Sequence, residues 1–209
     1  MMAGLQGSLL DLLDEPALGS LAGLRRTELT DGAWLDVLPG WLSGADRLFE
    51  SLLDAVPWRA ERRPMYDRVV AVPRLTCFYG EPAPLPDPLL LQARTALTEH
   101  YAHELGEPFR TAGLCLYRDG RDSVAWHGDD TGRGRPDDTM VAILSLGSPR
   151  PLLLRPRSGG SGTVRHNLGH GDLIVMGGSC QRTWEHAIAK TTRPVGPRIS
   201  VQFRPRNVR

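Results

Sequence analysis

Thr139-Met140-Val141-Ala142-Ile143-Leu144-Ser145-Leu146-Gly147-Ser148-Pro149-Arg150-Pro151-Leu152-Leu153-Leu154-Arg155 holds two apolar runs parted by a Gly-Ser-Pro break. Each run is shorter than an ordinary helix and is bounded by turn residues, which reads as two strands joined by a turn. The same texture extends in both directions, with runs at 113–117, 123–127, 163–168, 172–176, 183–189 and 198–204. Eight short strands at a spacing of roughly 8–12 residues predict a double-sheeted jelly roll, the double-stranded β-helix.

Upstream of Gly106 the pattern turns helical. Residues 5–25 mix leucines with acidic and small residues, and a short helix such as Leu9–Leu13 is expected there. Residues 32–42 form an apolar stretch closed by a turn, and Asp46 is a candidate N-cap for a helix through Leu53 that Pro57 stops. Residues 67–79 read as extended, broken by Pro73, and prolines at 82, 84, 86 and 88 stiffen the loop that follows. Leu89, Leu90, Ala93, Leu97 and Tyr101 recur at helical steps, which predicts one helix from Pro88 to Leu105. The expected class is α+β: a jelly roll with N-terminal helices packed on its major sheet. Residues 1–58 would be an acidic helical extension and 59–209 the jelly-roll domain, together one compact unit.

Composition removes several classes. The 209 residues carry 25 basic and 24 acidic side chains, a net charge of +1. No apolar run approaches the roughly 18–20 residues of a membrane helix, and the first residues lack the basic-then-apolar pattern of a signal peptide. Cys77, Cys115 and Cys180 are scattered and unpaired by spacing, which fits a reducing cytoplasm and argues against a zinc ribbon or redox dithiol. A cytoplasmic monomer is expected. The charge is uneven: residues 1–58 hold nine acids against three arginines, leaving a basic remainder in which Lys190 is the sole lysine. Arginine binds phosphate bidentately, so Arg118, Arg121, Arg133, Arg135, Arg150, Arg155 and Arg157, in or near loops, are candidates for tracking a polynucleotide backbone.

Of six histidines, His100 and His103 read as a solvated helix face, and His166 and His170 as flanks of a turn. The run Ser123-Val124-Ala125-Trp126-His127-Gly128-Asp129-Asp130 is different. Residues two apart on a strand point the same way, so His127 and Asp129 can face one site. His186 falls on a later strand, in Thr183-Trp184-Glu185-His186. Two histidines and one carboxylate are the facial triad of non-haem Fe(II) oxygenases. In Pro197-Arg198-Ile199-Ser200-Val201-Gln202-Phe203-Arg204 the even separation puts Arg198 and Arg204 on one face, as a dicarboxylate cosubstrate requires.

These residues together resemble the AlkB family of Fe(II)- and 2-oxoglutarate-dependent dioxygenases. The match is carried by Tyr117-Arg118-Asp119-Gly120, His127-Gly128-Asp129-Asp130, Leu144-Ser145-Leu146-Gly147, His170-Gly171-Asp172-Leu173, Trp184-Glu185-His186 and the strand Arg198–Arg204, with Pro73-Arg74…Tyr79-Gly80 upstream. The resemblance runs from about residue 65 to 205, and residues 1–30 match nothing. It implies His127, Asp129 and His186 as ligands of Fe(2+), and Tyr117, Arg198, Ser200 and Arg204 as the hold on 2-oxoglutarate, with O2 as cosubstrate. It implies oxidative demethylation of N-alkylated bases in DNA or RNA, as in DNA repair. Succinate, CO2 and formaldehyde would be released. Phe78, Tyr79, Trp126, Asp130 and Arg150 are the candidate substrate contacts. A dioxygenase acting on a protein or small molecule is the alternative, and a non-catalytic binding module a third. The chain departs from the family at Cys115 and Ser200, where Asn is usual, at Gln202, where Thr is usual, and at Thr131, where an acidic run ends; the lost amides predict a weaker hold on the cosubstrate.

Overall fold

The computed structural model describes residues 15–65, 68–129, 137–159 and 162–206. In chain order the strands are β1 (Ala17–Leu18), β2 (Arg25–Glu28), β3 (Ala33–Leu38), β4 (Leu42–Ser43), β5 (Arg59–Met65), β6 (Arg68–Tyr79), β7 (Thr111–Tyr117), β8 (Val124–His127), β9 (Val141–Gly147), β10 (Arg150–Pro156), β11 (Val164–Leu168), β12 (Asp172–Gly178), β13 (Trp184–Ile188) and β14 (Arg198–Arg204). Helix α1 (Ala45–Ala55) precedes β5, α2 (Pro88–His100) and α3 (Ala102–Leu105) follow β6, and α4 (Cys180–Thr183) joins β12 to β13. An eight-stranded sheet runs β2-β3-β12-β9-β14-β7-β6-β5, and a four-stranded sheet runs β11-β10-β13-β8, with antiparallel neighbours throughout. This is the jelly roll expected from the strand spacing.

Strand alternation divides the core in two. On β14, Ile199, Val201 and Phe203 point to the layer under α1 and α2, where Leu48, Leu52, Leu90 and Leu97 are buried. On β9 and β12, Ile143, Ile174 and Met176 point the other way and meet Leu152, Leu154 and Trp184 of the smaller sheet. Each fully buried aliphatic chain contributes about 1.5–3 kcal/mol. The even positions of β14 (Arg198, Ser200, Gln202 and Arg204) therefore face the gap between the sheets, and that parity creates the site.

Four expectations are corrected. The segment 1–58 is a helical layer only at α1: β2 and β3 extend the large sheet, with Ala33–Leu38 paired residue by residue to Gly178–Leu173, so the sheet crosses the boundary drawn at residue 58. The alternation Trp34, Asp36 against Leu35, Val37 was masked by an apolar run without turn residues inside it. Asp46 does not cap α1; Gly44 holds the cap position, and Asp46 lies in the first turn with its carboxylate 3.2 Å from His170 Nε2. The expected helix 88–105 breaks at Tyr101, whose buried ring stacks on Trp34 and whose hydroxyl donates to the buried Asp36 at 2.8 Å. At its start Asp87 accepts the Leu89 N–H at 2.8 Å, with Pro88 as first helical residue. Pro73 does not end β6 but coincides with a shift of register against β5, between Ala60↔Leu75 and Arg62↔Ala71. The Leu9–Leu13 helix lies outside the described residues.

Candidate active site

The candidate metal ligands are brought together by pairing in the smaller sheet. His186 on β13 sits directly opposite His127 on β8, with ring centroids 4.2 Å apart. Asp129 follows two residues later, its Oδ1 3.9 Å from His127 Nε2 and its Oδ2 3.9 Å from His186 Nε2. The three potential donor atoms lie within 4.8 Å of one another, the one such His/Cys/Asp/Glu group among the described residues. His127 Nδ1 is 2.8 Å from the Ala125 carbonyl and 3.1 Å from that of His186. Carbonyls only accept, so the proton sits on Nδ1 and Nε2 presents its lone pair to the centre.

Burial would raise the Asp129 carboxyl, but Arg204 and the two imidazoles outweigh it and hold the group down to about 2. Burial, with His127 alongside, pushes His186 down to about 3, so its imidazole stays neutral and able to ligate. Gln181 on α4 accepts the Asp129 N–H at 2.9 Å and fixes the loop. Gly128 between the ligands has no room for a side chain: a Cβ there would lie 2.3 Å from Arg157 Nη2 and 2.4 Å from the Gln181 carbonyl oxygen.

A cavity of about 490 Å³ opens beside these ligands, walled by β6, β7 and β14 on one side and β8 and β13 on the other. Arg198 is buried at its deep end, with Nε donating to Ser145 Oγ at 3.0 Å and its guanidinium 5.4 Å from the Tyr117 ring centroid. Burial pushes the Tyr117 phenol up to about 12, so it keeps its proton. Arg204 reaches Asp129 across Gly113, where a Cβ would meet Arg204 Nη1 at 2.8 Å. Its Nη2 donates to both Asp129 oxygens at 3.2 Å and to Gln202 Oε1. Arg198 Nη1 and Arg204 Nε are buried without a hydrogen-bond partner, an arrangement that an anionic ligand in the cavity would satisfy.

The site thus gathers His127, Asp129, His186, Tyr117, Arg198, Ser200 and Arg204, all seven read from the sequence as iron and cosubstrate residues. The substrate candidates divide. Phe78 lines the cavity and is 45% exposed at its lip. Tyr79 points to the opposite face of the sheet and packs on the helix-side core. Trp126 lies outside the cavity with the Arg155 guanidinium 4.3 Å from its ring centroid. Arg150 is a buried clamp, donating to the carbonyls of Asp119 (3.1 Å), Asp122 (3.0 Å) and Ala189 (2.7 Å). Asp130, like Arg133 and Arg135, lies outside the described residues. Arg118, Arg121 and Arg155 are paired to Asp122, Asp119 and Glu185, so the phosphate track expected from them is largely neutralised within the chain. Gln181, Gln202, Gly113 and the cavity-lining Glu61 and Arg74 were not singled out as site residues. Gln202 shares the parity of Arg198 and Arg204, a signal that could have found it; Gln181, on a four-residue helix, offered none.

Residues 35–204 match the family model of the 2OG-Fe(II) oxygenase superfamily. The chain belongs to this superfamily. This oxygenase is 34% identical over 188 residues to alpha-ketoglutarate-dependent dioxygenase alkB homolog 3 of Bos taurus, covering 79% of this chain and 64% of that protein. Against the Homo sapiens protein of the same name it is 32% identical, covering 77% and 61%. Identity to DNA oxidative demethylase ALKBH2 of Homo sapiens is 25%, covering 77% and 68%. The oxygenase chain spans just under two thirds of the length of the alkB homolog 3 relatives. Among solved structures, a Trichoplax adhaerens prolyl hydroxylase in complex with a hypoxia inducible factor peptide fragment superposes with a TM-score of 0.63 at 11% identity, covering 85% of this chain and 84% of that one. OsALKBH1 gives 0.56 at 16% identity, covering 85% and 100%. These likenesses show the shared fold. Fe(2+) and 2-oxoglutarate, the superfamily's metal and cosubstrate, fit the site: two imidazoles, that of His186 held neutral, and an ionised carboxylate suit the metal, and two buried arginines with unsatisfied nitrogens suit a dicarboxylate. Among the described residues, no helix is long and apolar enough to cross a membrane.

Proposed function

We propose that this chain is an Fe(II)- and 2-oxoglutarate-dependent oxidative demethylase of N-alkylated bases in DNA or RNA, a repair activity. The observation that carries the reading is the His127–Asp129–His186 cluster beside a cavity whose far wall bears the buried Arg198. Bound Fe(II) and 2-oxoglutarate would supply the oxidation of an N-methyl carbon by O2, with succinate, CO2 and formaldehyde as products. His127, Asp129 and His186 would hold the metal; Arg198 and Tyr117 would hold the distal carboxylate, and Arg204 and Ser200 would orient the cosubstrate nearer the metal.

The remaining residues bind and orient. The alkylated base must leave its stack to reach a site between two sheets. Phe78, an exposed aromatic at the lip, offers a ring face to the extruded base. The apolar wall of Val124, Ile143, Leu152 and Ile188 keeps water from the reacting carbon. The names of the relatives, alkB homolog 3 and DNA oxidative demethylase, support a nucleic-acid substrate. Formaldehyde release from oligonucleotides bearing 1-methyladenine or 3-methylcytosine, with iron and 2-oxoglutarate supplied, tests the reading. Succinate formed without formaldehyde from any such oligonucleotide would redirect it to another substrate class.

A further inference from the structure

Gln202 stands where the resembling family usually carries a threonine, and its side chain occupies the middle of the cosubstrate wall. Its amide meets three partners, one at the first end and two at the second. One end touches Arg204 Nη2; the other lies 3.3 Å from Ser200 Oγ and 3.8 Å from Cys115 Sγ. A guanidinium has donors only, so the amide oxygen must face Arg204 and the NH2 must face Ser200. That settles an orientation which an amide's shape alone leaves open. The Ser200 oxygen, having accepted from Gln202, retains its own proton for a further acceptor. Ser200 is buried and lines the cavity, so that acceptor is whatever fills it.

We infer that Gln202 is a positioning residue that sets the direction of hydrogen bonding along β14, so that Ser200 donates to the cosubstrate. The inference rests on the 2-oxoglutarate site described above and adds a device to it. Arg204 donates to Gln202, Gln202 to Ser200, and Ser200 to the anion, with Arg198 donating from the same strand face. A dicarboxylate only accepts, so it matches a wall on which every polar group points a proton outward. The amides lost at positions 115 and 200 relative to the family are offset by a relayed hydroxyl donor.

Gln202→Glu is nearly the same shape but reverses the relay. Its carboxylate accepts from Arg204 and draws the Ser200 proton back, leaving a lone pair and an added negative charge against the anion. The test is calorimetric titration of 2-oxoglutarate into Mn(II)-loaded protein without turnover, for the parent, Gln202→Glu, Ser200→Ala and the double variant. The expected result is binding weakened about tenfold or more in Gln202→Glu, with a clearly smaller penalty when Ser200 is already Ala. Gln202→Met, which keeps the volume and removes the relay without charge, is expected to weaken binding about threefold, and serves if Gln202→Glu does not fold. Unchanged 2-oxoglutarate affinity in the folded variants, or a Gln202→Glu penalty equal in both Ser200 backgrounds, overturns the inference while leaving the oxygenase reading intact. A parent that binds Mn(II) but no 2-oxoglutarate overturns both.

Discussion

Arg204 brings a single guanidinium nitrogen, Nη2, to 3.2 Å from both carboxylate oxygens of Asp129. The strand that lines one wall of the cavity thereby also supplies the counter-charge for a candidate metal ligand just beyond β8 of the other sheet. Taking away Arg204 would leave a buried carboxylate with its main opposing charge gone, and burial would then dominate.

The pH range over which Asp129 stays ionised follows from that pair. Asp129 is depressed from 3.8 to about 2, so its stabilising ionisation is fully present above 3.8 and is lost as pH falls through about 2. In Arg204→Gln the carboxyl pKa rises. Carboxyl-carbon NMR of the metal-free protein across a pH series should show Asp129 titrating at a higher pH in the variant than in the parent. An unmoved titration would mean that Arg204 does not govern Asp129.

Gly128→Ala tests the steric claim. The added methyl has Arg157 Nη2 and the Gln181 oxygen at 2.3 and 2.4 Å, so the loop between the ligands must shift. Metal affinity should fall by about 10- to 100-fold, the range for disturbed ligand support, with circular dichroism retained. Parent-like metal affinity would show that the loop absorbs the methyl.

Arg198→Met removes the buried cation at the cavity's deep end. Binding of 2-oxoglutarate should weaken by about 1.5–3 kcal/mol, tenfold or more, while Mn(II) affinity is retained. Equal loss of both ligands would point instead to a collapsed site.

How much of this was legible in the sequence depended on range. His127, Asp129, His186, Arg198 and Arg204 followed as candidates from strand parity and ligand chemistry, because alternation places a side chain on a face whatever its neighbours do, while Tyr117 and Ser200 were supplied by the family resemblance alone. His127 opposite His186 required only that two strands pair. Parity could not say what lies beyond the face: Arg150 has a loop arginine's surroundings in the sequence, yet it is consumed by three carbonyls. Arg118 and Arg121 looked available until Asp122 and Asp119, four and two residues away, took them. Asp36 was one acid among nine in an acidic segment, and only the fold brings Tyr101 and Arg26 to it across the sheet.

Arg150→Met separates those two views of arginine. Three carbonyls would lose their donors, and unfolding free energy should drop by about 2–4 kcal/mol in a urea titration. The salt dependence of oligonucleotide binding should be unchanged. A slope reduced by about one with stability intact would return Arg150 to the substrate surface.

The most direct measurement is stoichiometric. Under air, with Fe(II), 2-oxoglutarate and a 1-methyladenine or 3-methylcytosine oligonucleotide, succinate is quantified alongside the oligonucleotide mass. The expected result is one methyl group lost for each succinate formed with the parent, and neither product with Asp129→Ala. Contradiction would come from a parent that consumes no 2-oxoglutarate with iron present, or that forms succinate while every methyl group stays on its base.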